Sequence, residues 1–87
     1  MIINGNEIRS VKDFHHKIKR LLDLPDYYGE NLDALWDCLT GWIETPITIV
    51  WTNFQESRKN LGDFADKIVD VFKEAEKEVD GFKVEYR

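Results

Sequence analysis

The chain has 87 residues, of which 43% are hydrophobic and 13% aromatic, so it is long enough for one domain with a modest core. Seventeen acidic residues against twelve basic ones give a formal net charge of −5. This balance argues against nucleic acids and anionic membranes as partners, because each requires an electropositive surface, and it favours a basic partner.

The first half of the chain predicts one strand followed by two helices. Met1 to Asn4 is a short apolar run that ends at an Asn-Gly turn signal, which predicts a first strand. Ser10 precedes apolar residues at helical spacing, and Leu24-Pro25 ends the helix that they predict. A second helix is predicted from Asn31, its N-cap, to Gly41, its C′ residue.

The second half predicts a strand, two helices and a last strand. Ile47 to Trp51 is β-branched, aromatic and free of charge, which predicts a strand buried on both faces. Asn53 to Leu61 predicts a short helix, and a longer helix follows from its cap at Asp63 to a stop at Gly81. Phe82 to Tyr86 alternates apolar and polar residues, as in a strand with one wet face.

This element order predicts a small α/β fold. Helical crossovers between successive strands imply parallel pairing, because an antiparallel pair needs only a short turn. Short right-handed connections place the strands in the order 1-2-3, with the charge-free strand in the middle. We therefore expect a three-stranded parallel sheet packed with four helices, in a single domain over residues 1–87.

Charge and aromatic residues are unevenly distributed. Between Arg20 and Arg58 there is no lysine or arginine, but there are seven acidic residues. The same segment contains five of the six tryptophans and tyrosines: Tyr27, Tyr28, Trp36, Trp42 and Trp51. Acidic and aromatic side chains are thus concentrated in one part of the chain.

The second predicted helix has two distinct faces. One carries the leucines, at spacings of three and four residues: Leu32, Leu35 and Leu39. The other carries Asp33, Asp37 and Thr40, flanked by Trp36. Like charges four residues apart cost a helix a few tenths of a kcal/mol. Carboxylates in an unfavourable local context are often there for a partner.

Two interpretations of this second face are open. One is a solvated helix face, with Trp36 and Trp42 filling the core as large aromatics usually do. The other is an interface, because exposed tryptophan beside carboxylates is typical of a binding anchor with charged specificity. Trp51, in the middle of a strand, is expected in the core under both.

Catalysis is not favoured, although an acid–base or metal-dependent enzyme centred on Asp33 and Asp37 is a third hypothesis. No further ligand with suitable spacing lies near them. His15 and His16 point about 100° apart on a helix and cannot form a two-ligand site, so we expect one part-buried and one solvated. There is no nucleotide-binding loop and no nucleophile elbow. We expect no catalytic residue, metal or cofactor.

Cysteine usage and targeting signals bear on location. The single cysteine, Cys38, cannot form an internal disulfide and is expected as a small buried hydrophobe on the leucine side of its helix. The amino-terminal residues lack the pattern of a signal peptide, and no apolar run approaches the ~20 residues of a membrane helix. We expect the protein in the cytoplasm.

The run from Leu24 to Trp42, which includes Tyr27-Tyr28-Gly29 and Trp36-Asp37-Cys38, resembles the signature of the barstar family. Members of that family are intracellular inhibitors of barnase-type bacterial ribonucleases. The similarity continues through Ile3-Asn4-Gly5 and Val71 to Ala75, and so covers nearly the whole chain. The resemblance implies a three-stranded parallel sheet with helices, in agreement with the element order. It also implies that carboxylates plug a ribonuclease active site where RNA phosphates would bind.

The resemblance implies a set of partner-binding residues. Asp37 would enter the active site, Asp33 would face a basic pair at its rim, and Tyr27 would lie against the catalytic histidine. Glu74, on another helix, would join the acidic patch. Packed and backbone contacts would come from Trp36, Thr40, Gly41, Trp42 and Ile43. The implied partner is a basic, extracellular-type ribonuclease in a 1:1 complex, and the free protein is expected to be a monomer without nucleic-acid or membrane contacts.

Two departures from the family pattern leave the target open. Ile43 stands where the family has valine, and Thr45 replaces an aromatic residue before Pro46. The alternative hypothesis is therefore an acidic binding or immunity module of the same fold, directed at a different basic toxin or nucleic-acid enzyme.

Overall fold

Three strands and four helices make up the fold. The computed structural model describes residues 1–87, with these elements in chain order: β1 (Ile2–Asn4), a 3-10 turn (Gly5–Glu7), α1 (Val11–Leu21), α2 (Leu32–Gly41), β2 (Ile47–Thr52), α3 (Phe54–Leu61), α4 (Asp63–Glu78) and β3 (Phe82–Tyr86). All strand pairs are parallel, in the order β1-β2-β3. The predicted small α/β fold, with the charge-free strand in the centre, is confirmed.

The helices cover only one face of the sheet. Ile49 and Trp51 of β2 are buried beneath them, whereas Thr48 is exposed and Val50 is half-buried. The prediction that this strand is buried on both faces is therefore wrong. The crossovers from β1 to β2 and from β2 to β3 have the same hand, and each adds the next strand on the same edge of the sheet. Both helix pairs therefore lie on the same side of the sheet.

Trp51 connects the central strand to the covering layer. Its indole stacks on Phe14 of α1, with ring centroids 5.6 Å apart, and meets Phe72 of α4 edge-on at 6.2 Å. Its Nε1 donates to Ser57 Oγ of α3 at 3.0 Å, and Ser57 Oγ donates to the carbonyl of Gly5 at 2.9 Å. The buried polar groups of this cluster are thus hydrogen-bonded, as burial requires.

Side-chain caps begin two of the helices, as predicted. Ser10 Oγ and Asn31 Oδ1 each accept from the backbone N–H three residues further on, at 3.1 and 2.8 Å. The start of α4 differs from the prediction. Gly62, with φ of 61°, precedes the helix, and Asp63 is its first residue rather than its cap.

The ends of α2 and α4 also differ from the prediction. Gly41 is the last residue of α2, and Trp42, which keeps a right-handed conformation, is the C-cap. A left-handed glycine is therefore not needed at this end. The longer helix ends at Glu78, because Val79 is already extended, two residues before Gly81.

We predict that Gly5→Ala strongly destabilises the protein. A Cβ at this position would lie 2.5 Å from the carbonyl oxygen of Thr52 and 2.6 Å from Ser57 Oγ. Overpacking of this kind costs about 1–3 kcal/mol, and here it also disturbs the hydrogen bond from Ser57. Urea denaturation measures the loss. Gly41→Ala is the control, because its Cβ would meet no atom within 4 Å, and an unchanged midpoint for Gly5→Ala would contradict the packing described.

Candidate functional site

The orientation of α2 follows from its two faces. Leu35, Cys38 and Leu39 are buried in the core cluster. The opposite side therefore faces away from the core and leaves Asp33 and Asp37 exposed. The burial predicted for Cys38 on the leucine side is confirmed. Burial raises the pKa of its thiol, and the neighbouring Asp37 adds to this effect.

The two aspartates on the outer side of α2 have no counter-ion within the protein. The ion pairs of the molecule are His16–Glu30, Lys17–Glu7, Arg58–Asp66, Lys77–Glu74 and Arg87–Glu85. Asp33 lies in the first turn of α2, where the helix dipole favours an anion. Asp37 lies one turn further on and gains little from the dipole. The helix thus presents two like charges that no internal cation compensates.

The carboxyl end of α2 is held by hydrogen bonds that fix its exposed groups. Thr40 Oγ1 donates to the carbonyl of Trp36 at 2.8 Å. The backbone N–H groups of Trp42 and Ile43 both donate to the carbonyl of Cys38, at 2.9 and 3.1 Å. Gly41, which lies between Thr40 and Trp42, is exposed.

Trp42 is exposed but does not move freely. Its Nε1 donates to the carbonyl of Asp23 at 3.0 Å, and 47% of its surface is accessible. Tyr27, which is 80% exposed, meets the indole edge-to-face with ring centroids 6.4 Å apart. The two rings form one aromatic platform, a geometry that is favourable for aromatic pairs.

A groove between α2 and α4 contains the third acidic residue of the predicted set. Glu74 of α4 lines it together with Asp33 and Trp36, and its volume is about 360 Å³. The structure thus brings together residues 33, 36 and 74. Trp36 is half-buried and packs against the core, so its exposure is less than the interface interpretation predicts.

Three further residues line this groove and were not predicted: Leu32, Asp70 and Val71. Asp70 lies one helical turn before Glu74 on α4, and this spacing was a signal that could have found it. Leu32 was assigned to the buried side of α2 but is only half-buried. We call the predicted set the α2 surface: Tyr27, Asp33, Trp36, Asp37, Thr40, Gly41, Trp42, Ile43 and Glu74. Ile43, like Trp36, is half-buried against the core and is less accessible than the exposed members of the set.

The loop that carries Tyr27 is tied to α1 by both histidines. His15 Nδ1 is 2.6 Å from the hydroxyl of Tyr28, and His16 Nε2 is 3.1 Å from Glu30 Oε1. His16 is solvated as predicted, whereas His15 is fully buried rather than part-buried. The reason is its contact with Tyr28, thirteen residues away, which helical periodicity alone does not reveal.

Burial affects the titration of both partners in the His15–Tyr28 pair. The pKa of His15 is lowered by burial, an effect that Glu30 opposes and His16 reinforces. The pKa of Tyr28 is raised, mainly by burial, with smaller contributions from Cys38 and Glu30. Both groups are therefore neutral near pH 7. His15 Nε2 has no hydrogen-bond partner, so a charged imidazolium would leave a buried N–H unpaired.

No group of three or more His, Cys, Asp or Glu side chains is arranged to hold a metal ion. None of the helices combines the length and apolar character needed to span a membrane. What the geometry does provide is two carboxylates without a counter-ion, Asp33 and Asp37, on a surface whose Trp42 ring is held by a hydrogen bond.

Fold and site together define a small α/β protein with a preformed acidic and aromatic surface suited to a basic macromolecule. Comparison with known proteins specifies the class further. The sequence model of the family described as Barstar (barnase inhibitor) matches residues 1–87, and the chain belongs to this family. It is also 48% identical over 85 residues to a Bacillus subtilis (strain 168) protein named "Putative ribonuclease inhibitor YrdF". The aligned region covers 97% of this chain and 93% of that protein.

We predict that stability falls on mild acidification because of His15. Its pKa is lower in the folded protein than the ordinary value of 6.5, so the unfolded chain binds the proton more readily. The contribution of neutral His15 to the free energy of unfolding is complete above about pH 6.5, and it is lost as the pH falls through the lower folded-state pKa of this residue. Denaturant midpoints between about pH 7.5 and pH 5, where carboxylates stay mostly ionised, measure the loss. His15→Gln should flatten this dependence and His16→Gln should keep it, whereas identical profiles for both variants would refute the assignment.

Proposed function

We propose that this protein inhibits a basic, barnase-type ribonuclease by covering its active site with the α2 surface in a 1:1 complex. The observation that carries the proposal is that Asp33 and Asp37 on α2 have no counter-ion and lie on the same surface as Trp36 and Trp42, in a chain that belongs to the barstar family. A free helix face gains nothing from such a pair. A cationic active site supplies the missing counter-charges.

Carboxylates are suited to this task because a ribonuclease active site is built to bind a polyanion. Asp37, near the middle of the exposed side of α2, would occupy the position of an RNA phosphate among the arginines and histidine of the enzyme. It offers no bond for the enzyme to cleave. Asp33 and Glu74, which line one groove with Trp36, would meet basic residues at the rim.

The aromatic residues would supply the contact area around these charges. Tyr27 and Trp42 already form a platform in the free protein, and the hydrogen bond from Trp42 to Asp23 holds it in place. Because the hydrogen-bonded Trp42 loses little freedom on binding, its preorganisation lowers the entropic cost of association. Large, rigid aromatics are the residues most often responsible for interface energy.

Charge would also accelerate encounter between the two proteins. The net charge of −5 attracts a basic enzyme over distances of about a Debye length, roughly 8–10 Å at ordinary ionic strength. The barnase–barstar pair is itself a standard example of such steering. In the cytoplasm, where we place the protein, rapid capture would protect the producing cell from its own ribonuclease.

The test is a titration of the purified protein into a barnase-type ribonuclease, with RNA cleavage as the readout. Tight inhibition predicts activity that falls linearly to zero at one equivalent. Undiminished cleavage would refute the barnase-type target. It would direct attention to the alternative hypothesis, a different basic toxin or nucleic-acid enzyme, which a pull-down with the protein as bait would identify.

We predict that Asp37→Ala separates binding from folding. Removing one partner of a buried charge pair costs about 3–5 kcal/mol, so inhibition should weaken by roughly two to four powers of ten. The free protein should be as stable as the wild type or more so by a few tenths of a kcal/mol, because a like-charge pair is relieved and alanine favours helices. Inhibition constants and urea midpoints measure the two effects.

Glu56→Ala is the matched control for this variant. Glu56 is an exposed carboxylate on α3, a helix that packs on α4 and the 3-10 turn and contributes nothing to the α2 surface. The Glu56→Ala variant removes the same net charge as Asp37→Ala and should change inhibition little. Equal losses for Asp37→Ala and Glu56→Ala would mean that total charge, and not the α2 surface, is responsible.

A further inference from the structure

The largest cavity of the protein adjoins the α2 surface and shares two of its residues, Trp42 and Ile43. This groove has a volume of about 720 Å³, and five of its nine lining residues are hydrophobic. We call it the Trp42 groove, because Trp42 both lines it and contacts Tyr27 of the α2 surface. Met1, at the start of β1, lines it as well. The groove therefore continues the aromatic platform toward the sheet.

The apolar part of this groove is unusually accessible. Five large hydrophobic side chains of the protein are exposed. Two of them, Met1 and Trp42, line the groove, and a third, Tyr27, contacts Trp42. Met1 is 53% exposed, and its position is fixed because the amino-terminal nitrogen donates to the carbonyl of Thr48 at 3.0 Å. Contiguous apolar surface of this kind is typical of interaction sites.

The charged residues of the groove specify its occupant. Asp23 and Glu44 both line it, and neither takes part in an ion pair of the protein. A second copy of this chain would bring the same carboxylates and a net charge of −5, so it is disfavoured by repulsion. A basic protein surface is complementary to this rim.

We propose that the ribonuclease inserts an apolar side chain, carried on a basic loop, into the Trp42 groove. This inference rests on the proposed function and extends it, because it gives the enzyme a second contact beyond its active site. Thr45 is then a specificity-determining residue. It is exposed and lines the groove, and its short side chain leaves the space that the loop occupies.

The test fills the groove with Thr45→Trp and measures inhibition of a barnase-type ribonuclease. Steric exclusion of the loop should weaken binding about tenfold or more, the equivalent of a moderate overpacking cost. Gln55→Trp is the control, because Gln55 is an exposed, uncharged position on α3 that lines no cavity. It adds the same indole and should bind as the wild type does. Equal or tighter binding by Thr45→Trp overturns the inference.

A second variant guards against misfolding of the first. Asp23 has φ of 50°, a conformation that asparagine tolerates, so Asp23→Asn removes the rim charge without straining the backbone. Weaker binding with a shallower salt dependence supports the inference, and unchanged binding contradicts it. Sedimentation that shows a wild-type dimer, abolished by Thr45→Trp, would overturn it in favour of a second copy as the occupant.

These outcomes separate the inference from the proposed function. If the wild type inhibits the enzyme and Asp37→Ala does not, while both groove variants behave as the wild type does, only the inference fails. If the wild type fails to inhibit the ribonuclease, the proposed function fails and the inference fails with it.

Discussion

The architecture depends on the buried indole of Trp51 and the polar groups that satisfy it. Its N–H donates to Ser57 on α3, and Ser57 in turn donates to the carbonyl of Gly5 in the 3-10 turn that follows β1. These hydrogen bonds join the central strand, α3 and that turn inside the core, while the same ring stacks on Phe14 of α1 and meets Phe72 of α4 edge-on. Because every covering helix lies on that side of the sheet, the second face of the sheet remains open.

Because only one side of α2 packs on the core, its other side is free for the binding role that we propose. Its fully buried side chains are Leu35, Cys38 and Leu39, and the exposed Asp33, Asp37 and Thr40 are not part of the core. Asp33 and Asp37 remain exposed there without a counter-ion, at a small cost in helix stability. Binding surfaces commonly retain such unfavourable local arrangements, because stability and function place different demands on the same residues. We interpret the uncompensated charge of α2 in this way.

Local patterns were sufficient for much of the fold. The caps Ser10 and Asn31 act on the backbone three residues away, and the leucine spacing of α2 fixes its buried side, so both were predictable. The position of His15 was not, because its burial depends on Tyr28, which lies in a separate segment of the chain. The groove between α2 and α4 was predicted only in part, through Glu74, since Asp70 and Val71 reach it by helix packing. The Trp42 groove likewise arises from three separate stretches of chain, at Met1, Leu22-Asp23 and residues 42–47, and has no single local signature.

We propose that the carboxylates of the α2 surface occupy the site in the ribonuclease where RNA phosphates bind. This proposal is tested most directly by measuring the apparent dissociation constant of the complex at increasing concentrations of a non-cleavable oligonucleotide bound in the active site. The account predicts that the apparent constant rises in proportion to oligonucleotide concentration, because the two ligands exclude each other. A constant that stays the same, with a ternary complex of enzyme, oligonucleotide and this protein, would contradict it.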